Sequence, residues 1–385
     1  DPAAEARALV NTLGPEALAK AAAYTAGNHW LLLWGFLVTL LAAVILVRIR
    51  LLDRLSARLA GRPFLQAFLV TALGALLLSL LTLPWDIWSE WARETRYGRT
   101  SQPLSDWLMQ SLLALAVSVP VVGLFFAGLY ALIRRTGARW WLWSGGLVAT
   151  AMTALLLLSP VFIEPLFNDY KPLPQGPVRT ALEAQAAVAG VPADRIFVYD
   201  GSRQSNNFTA NVSGLMGSAR IAISDVALKG ADLDEVRAVT GHEIGHYVLG
   251  HVWRSVILFA VLAMLFFWLA NRTFPLVARA MGSRATLADP AGFPVLVVIV
   301  SALGLLALPL TNTLSRIDEA EADRYSLETV NLPDALATAL VKTAEYRDPR
   351  PARLQEVLFY THPAVERRVL SAMQWKADHP STPAP

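Results

Sequence analysis

Six stretches of this chain contain no Asp, Glu, Lys, Arg or His: Trp30 to Val47, Pro63 to Trp85, Trp107 to Ile133, Trp140 to Ile163, Ser255 to Asn271 and Pro290 to Ser315. At the 1.5 Å rise of a helix, each crosses a hydrocarbon core of about 30 Å or comes close to it. A backbone in lipid must satisfy its own hydrogen bonds, so such runs fold as helices. The expected fold class is mainly α, a polytopic α-helical membrane protein of about six transmembrane helices with a small α/β unit outside them. Composition agrees, because 55% hydrophobic and 16% charged residues are too apolar a mixture for a soluble chain. Trp30, Trp85, Trp107, Trp140 and Trp141 sit at run ends and read as interfacial anchors. Pro120, Pro160 and Pro309 are expected to kink their helices. The absence of cysteine excludes disulfides and thiolate metal sites, and a net charge of +3 gives no reason to expect nucleic acid.

Removing the runs divides the chain into a surface segment (1–28), transmembrane helices one to four (29–163), a catalytic region (164–251), helices five and six (252–315), a C-terminal helical region (316–378) and a disordered tail (379–385). The first segment is Ala-rich, suits one or two short surface helices and starts without Met, which fits a removed signal peptide or a trimmed start. Region 164–251 is expected to hold a helix near Val178 to Ala189 and strands at Ile196 to Tyr199, Phe208 to Ser213 and Arg220 to Ser224, with turns between Gly201 and Gly217. Breaks at Pro333, Pro349 to Pro351 and Pro363 divide the C-terminal region into helices.

The residues D-E-V-R-A-V-T-G-H-E-I-G-H-Y-V-L-G-H, Asp234 to His251, read as one helix. His242 and His246 stand four apart on one face, where two imidazoles can hold one zinc ion, and Glu243 lies between them as a general base. A catalytic zinc takes three protein ligands and keeps a position for water. Leu249 and Val252 occupy the places where an extended motif has glycine and a third histidine. By helical period His251 falls on the opposite face and reads as structural. The third ligand is expected from S-R-I-D-E-A-E-A-D-R-Y, Ser315 to Tyr325, where Glu319 and Asp323 share a helix face. One of them can bind metal while the other orients a histidine, and Glu321 points away.

The chain resembles the integral-membrane CAAX prenyl endopeptidases of the a-factor-converting type, and more distantly the heat-shock membrane metalloproteases. The resemblance is carried by H-E-I-G-H-Y-V-L-G-H (His242 to His251), E-A-E-A-D (Glu319 to Asp323) and T-H-P-A-V-E-R-R (Thr361 to Arg368). It extends to L-T-L-P-W (Leu81 to Trp85), E-P-L-F-N-D-Y-K-P-L-P-Q-G (Glu164 to Gly176) and S-A-R-I-A-I-S-D (Ser218 to Asp225). It implies a zinc endopeptidase in which His242, His246 and Glu319 bind Zn2+, Glu243 is the base and Asp323 stands behind the ligands. His362 and Arg368 would contact the scissile peptide and its oxyanion. Thr209, Ala210, Asn211, Val212, Ser213 and Gly214 would form an edge strand that pairs with the substrate backbone. Where the family commonly opens that strand with Asn-Ala, this chain has Thr209 and Ala210, and of the seven spans of the family's eukaryotic members the one missing here would be the first.

The partners implied are a peptide or protein with a prenylated C-terminus and membrane lipid, with no nucleic acid. A quality-control protease of membrane proteins is the alternative. A metal-stabilised transporter or scaffold would place ionisable residues within the spans, and the six runs have none. Six crossings sort the short loops into two sets. One holds eleven basic residues (Arg48, Arg50, Arg54, Arg58, Arg62, Arg134, Arg135, Arg139, Arg272, Arg279, Arg284) and the other five (Arg7, Lys20, Arg93, Arg96, Arg99). Basic loops stay in the cytoplasm. The catalytic regions are therefore expected on the periplasmic side of a bacterial inner membrane.

Overall fold

The computed structural model describes residues 1–192, 194–214 and 218–380. The tail beyond residue 380 and the turn at Gly217 lie outside them. Helices α1 (Pro2–Asn11), α2 (Gly14–Ile49), α3 (Leu51–Arg58), α4 (Pro63–Asp86), α5 (Arg93–Tyr97), α6 (Leu104–Thr136), α7 (Trp140–Leu158) and α8 (Glu164–Phe167) come first. Then follow β1 (Tyr170–Pro172), α9 (Pro177–Ala189), β2 (Ile196–Tyr199), β3 (Ala210–Ser213), β4 (Arg220–Ser224), α10 (Asp225–Gly230) and α11 (Leu233–Val248). The chain closes with α12 (His251–Met281), α13 (Phe293–Thr329), α14 (Pro333–Thr343), α15 (Arg353–Phe359) and α16 (Val365–Asp378).

Among the described residues, five helical stretches are long and apolar enough to cross a membrane: Gly14–Ile49, Pro63–Tyr97, Leu104–Phe167, His251–Met281 and Pro290–Thr329. The third, of 64 residues, would be about 96 Å long if straight. It reverses at Gly137 and folds α6 onto α7, with Gly128 facing Leu147, so it carries two of the six charge-free runs. The first segment is not the short surface unit expected, because α2 runs from Gly14 into the membrane without interruption. Similarly α13 carries its helix straight through Ser315 to Thr329, so a span delivers its own extension into the catalytic unit. Trp140 departs from its expected interfacial role. It is fully buried, packs 5.3 Å from Phe267, and its Nε1 donates to Asn271 Oδ1 at 3.1 Å.

Among the described residues three apolar cores follow. One unites the membrane helices around Leu46, Tyr130, Phe274 and Leu296. The second packs α1 on α14 and α16 through Val10, Leu340, Val369 and Met373. The third lies between the sheet, α9 and α11 through Leu182, Ile196, Ile221, Ile223 and Ile244. The sheet has the order β1-β2-β4-β3, parallel between β2 and β4 and antiparallel elsewhere. Strand β4 is central and buried throughout, which its sequence R-I-A-I-S serves by supplying Ile221 and Ile223 to one face. Strand β3 therefore stands at the edge, with one side unpaired within the sheet.

Candidate active site

Helix α11 starts at a capping box, in which Asp232 accepts from the Glu235 amide at 2.8 Å and Glu235 accepts from the Asp232 amide at 3.0 Å. That satisfies two of the orphan donors that every helix start exposes. Its apolar and small residues then face α13. A Cβ on Gly245 would lie 3.2 Å from Ala322 Cα, and one on Gly241 would lie 2.5 Å from Val330 Cγ2. These glycines let the two backbones approach closely, and Ser326 Oγ seals the contact by donating to the Ala238 carbonyl at 2.7 Å. The approach brings His242, His246 and Glu319 together with their donor atoms within 4.8 Å of one another.

The donor set has the spacing of a zinc site. His242 Nε2 and His246 Nε2 are 3.2 Å apart, His242 Nε2 and Glu319 Oε2 are 3.3 Å apart, and His246 Nε2 and Glu319 Oε1 are 3.4 Å apart. Zinc bonds of about 2.0–2.1 Å at tetrahedral angles separate neighbouring ligand atoms by roughly 3.3–3.4 Å. Glu319 Oε2 is buried without a hydrogen-bond partner among the described residues, with Arg368 Nη2 3.4 Å away, so it is a donor atom that suits a cation. His242 Nδ1 lies 2.9 Å from Asp323 Oδ1, so it donates to that carboxylate and leaves Nε2 with a lone pair. Asp323 is held in turn by two Arg368 bonds of 2.7 Å each, from Nε and Nη2.

Glu243 lines the same cavity of about 500 Å³ as His242, His246, Glu319, His362 and Arg368. Burial pushes its carboxyl above the usual range, against the pull of the neighbouring histidines. His362 Nε2 lies 3.2 Å from Glu319 Oε1. Burial lowers its pKa to about 3, against the attraction of Glu319 and with help from the Arg347 charge, so the ring is neutral at physiological pH. The turn that presents it is pinned to α13, since Arg316 Nη1 donates to the Tyr360 carbonyl at 2.6 Å and to the Glu356 carbonyl at 2.9 Å. Thr209 and Ala210 also border the cavity, at the start of the edge strand.

The reading of Asp234 to His251 as one helix is corrected. Helix α11 ends at Val248, and Gly250 adopts φ +70°, a left-handed conformation that costs a side-chain-bearing residue about 1–2 kcal/mol. His251 therefore opens α12 and turns back towards His246 instead of standing on the far face of α11. The glycine was the available signal, since glycine just past a helix end stops it by this geometry. Glu321 does point away from the three-residue cluster, and reaches His251 and Arg254.

Residues 172–376 match the family described as peptidase family M48, and residues 4–169 match the CAAX prenyl protease N-terminal region of five membrane helices. The uncharacterized metalloprotease YhfN of Bacillus subtilis is 27% identical over 314 residues, which cover 80% of this chain and 74% of that protein. CAAX prenyl protease 1 of Saccharomyces cerevisiae is 27% identical over 371 residues, covering 90% of this chain and 78% of that one. The crystal structure of S. mikatae Ste24p superposes with a TM-score of 0.68 at 24% identity, over 80% of this chain and 75% of that one, and so shares the fold. With the M48 match spanning more than half of its length, the chain belongs to peptidase family M48, as a membrane metalloprotease of the CAAX prenyl protease kind.

Proposed function

We propose that the metal is zinc, held by Nε2 of His242 and His246 and by Glu319, and that the chain is an endopeptidase acting on peptides with a prenylated C-terminus. The observation that carries the zinc reading is the set of three donors spaced 3.2–3.4 Å apart beside Glu243 in one cavity. When bound, zinc supplies Lewis acidity, which polarises the scissile carbonyl and acidifies water. Glu243 takes a proton from the attacking water and passes it to the leaving amine, a task suited to a carboxyl raised above its ordinary range. His362 donates a hydrogen bond to the oxyanion, and the Arg368 charge stabilises it from behind while fixing Asp323. The free side of β3, from Thr209 to Gly214, pairs with extended substrate backbone. The name of the Saccharomyces cerevisiae relative supports the prenyl preference. The count of eleven basic loop residues against five supports catalytic regions on the periplasmic side of a bacterial inner membrane.

A chelator is expected to abolish cleavage and added zinc to restore it. Glu243→Gln leaves the ligands intact, so zinc content stays at the wild-type level while turnover falls roughly 100-fold to 10,000-fold. A variant that turns over at the wild-type rate would sink the assignment of the base. Mass spectrometry of matched farnesylated and unmodified peptides tests the substrate. Cleavage of the farnesylated peptide alone supports the prenyl reading, and equal cleavage replaces it with quality control of membrane proteins.

A further inference from the structure

The two histidines of the cluster are oriented by different devices. His242 Nδ1 meets Asp323, which Arg368 holds. His246 Nδ1 instead lies 2.8 Å from His251 Nδ1, whose other nitrogen, Nε2, lies 3.0 Å from Glu321 Oε2. Glu321 Oε2 also accepts from Arg254 Nη2 at 3.0 Å, and Arg254 Nη1 is anchored on Asp318. His251 is buried, and its ring meets that of His246 edge to face with centroids 5.0 Å apart.

The hydrogen-bond polarity of this chain follows from its far end. An ionised carboxylate only accepts, so the bond between His251 and Glu321 requires a proton on His251 Nε2. A neutral imidazole protonated there accepts at Nδ1. His246 must then donate from Nδ1, which leaves its Nε2 with a lone pair aimed at Glu319 and His242. We propose that His251 is a positioning residue, which accepts from His246 Nδ1 and, steered by Glu321 and Arg254, holds His246 in the tautomer and orientation that bind metal. The proposal rests on the zinc reading of the site. It also accounts for Gly250, since only the left-handed turn there brings His251 back to His246.

His251, Asp318 and Glu321 have donor atoms within 4.8 Å of one another, the spacing of a second metal site. The Arg254 guanidinium bridges both carboxylates and supplies the positive charge that a cation would bring. The cluster therefore serves the first site.

Zinc affinity of the purified full-length protein, measured by competition with a chromogenic chelator, tests this without reference to activity. His251→Leu removes the acceptor, and removal of such an outer partner weakens metal binding about 10-fold to 100-fold. His251→Asn places an amide oxygen near the position of Nδ1, so affinity is expected to stay within about threefold of wild type. The same rescue is expected in the visible d–d bands of cobalt-substituted protein, shifted by leucine and restored by asparagine. Unchanged affinity in His251→Leu, or an equal fall in both variants, overturns the proposal, the second result marking His251 as packing alone. A second zinc per chain that depends on His251 overturns it too. His246→Ala separates the two readings. If it binds zinc as tightly as wild type, the assignment of the ligands fails and this proposal with it. If it loses zinc while His251→Leu does not, only the relay fails.

Discussion

Glu319 and Glu321 are two residues apart on one helix and differ in every partner. Glu319 faces His242, His246, His362 and Arg368, whereas Glu321 faces His251 and Arg254. Glu319→Ala is expected to remove most of the bound zinc, because it deletes a proposed ligand. Glu321→Ala should cost only affinity, within the 10-fold to 100-fold range of an outer partner. Metal analysis of both purified variants decides it, and equal losses would mean that the register of α13 is misassigned. His362→Ala removes none of the proposed zinc ligands, so zinc content should hold while turnover drops about 100-fold to 1,000-fold, the range for a lost oxyanion donor. Zinc loss in that variant would instead make His362 part of the metal site. At this scale the pair His242 and His246 and the pair Glu319 and Asp323 were legible, since a spacing of four on a helix is a geometric statement. The His251 contact was not, because it depends on a chain reversal inside what periodicity reads as one helix.

The site exists because two helices approach closely enough for side chains of ordinary length to converge. Gly241 and Gly245 form the face of α11 that permits it, and they stand immediately before the two histidines. Gly245→Val is expected to force α11 from α13, costing about 1–3 kcal/mol as overpacking does. It should also lower zinc affinity, since Glu319 moves with α13. Gly230→Ala, at the end of α10 with open space around it, should stay within about 0.5 kcal/mol. Thermal unfolding in detergent with and without zinc reads both effects, and a Gly245→Val protein of wild-type affinity would show that the contact is not what sets the site. The strands β2 and β4 agree with the expected bounds, because alternation and flanking turns mark a half-buried or buried strand. The edge position of β3 is a matter of pairing order, which alternation does not encode.

Across the whole molecule the inter-span segments gather into two groups. Lys376 binds Glu5 at 3.0 Å, Arg203 binds Asp106 at 2.6 Å and Arg350 binds Asn11 at 2.9 Å, which join the N-terminal helix, the first turn of α6 and both catalytic regions. Elsewhere Ser56 donates to Asp289 at 2.6 Å, joining α3 to the loop before α13. These contacts agree with the partition that six crossings require. If the eleven-arginine loops face the cytoplasm, a reporter that matures only there, fused after Pro385, stays dark in cells that insert the protein stably. A bright signal would reverse the orientation.

By itself the sequence determined that this chain is a membrane metalloprotease, and it singled out His242, His246 and Glu319 as the proposed metal ligands. Charge-free runs have one stable solution in lipid, and the motifs lie on single helices whose period is known in advance. Tertiary structure alone decided that α2 and α13 carry their spans onward into the catalytic unit, that Trp140 is buried against Phe267, and that His251 belongs to the surroundings of His246. Each of these depends on contacts between residues distant along the chain, or on one backbone angle at Gly250, and hydrophobic periodicity is insensitive to both.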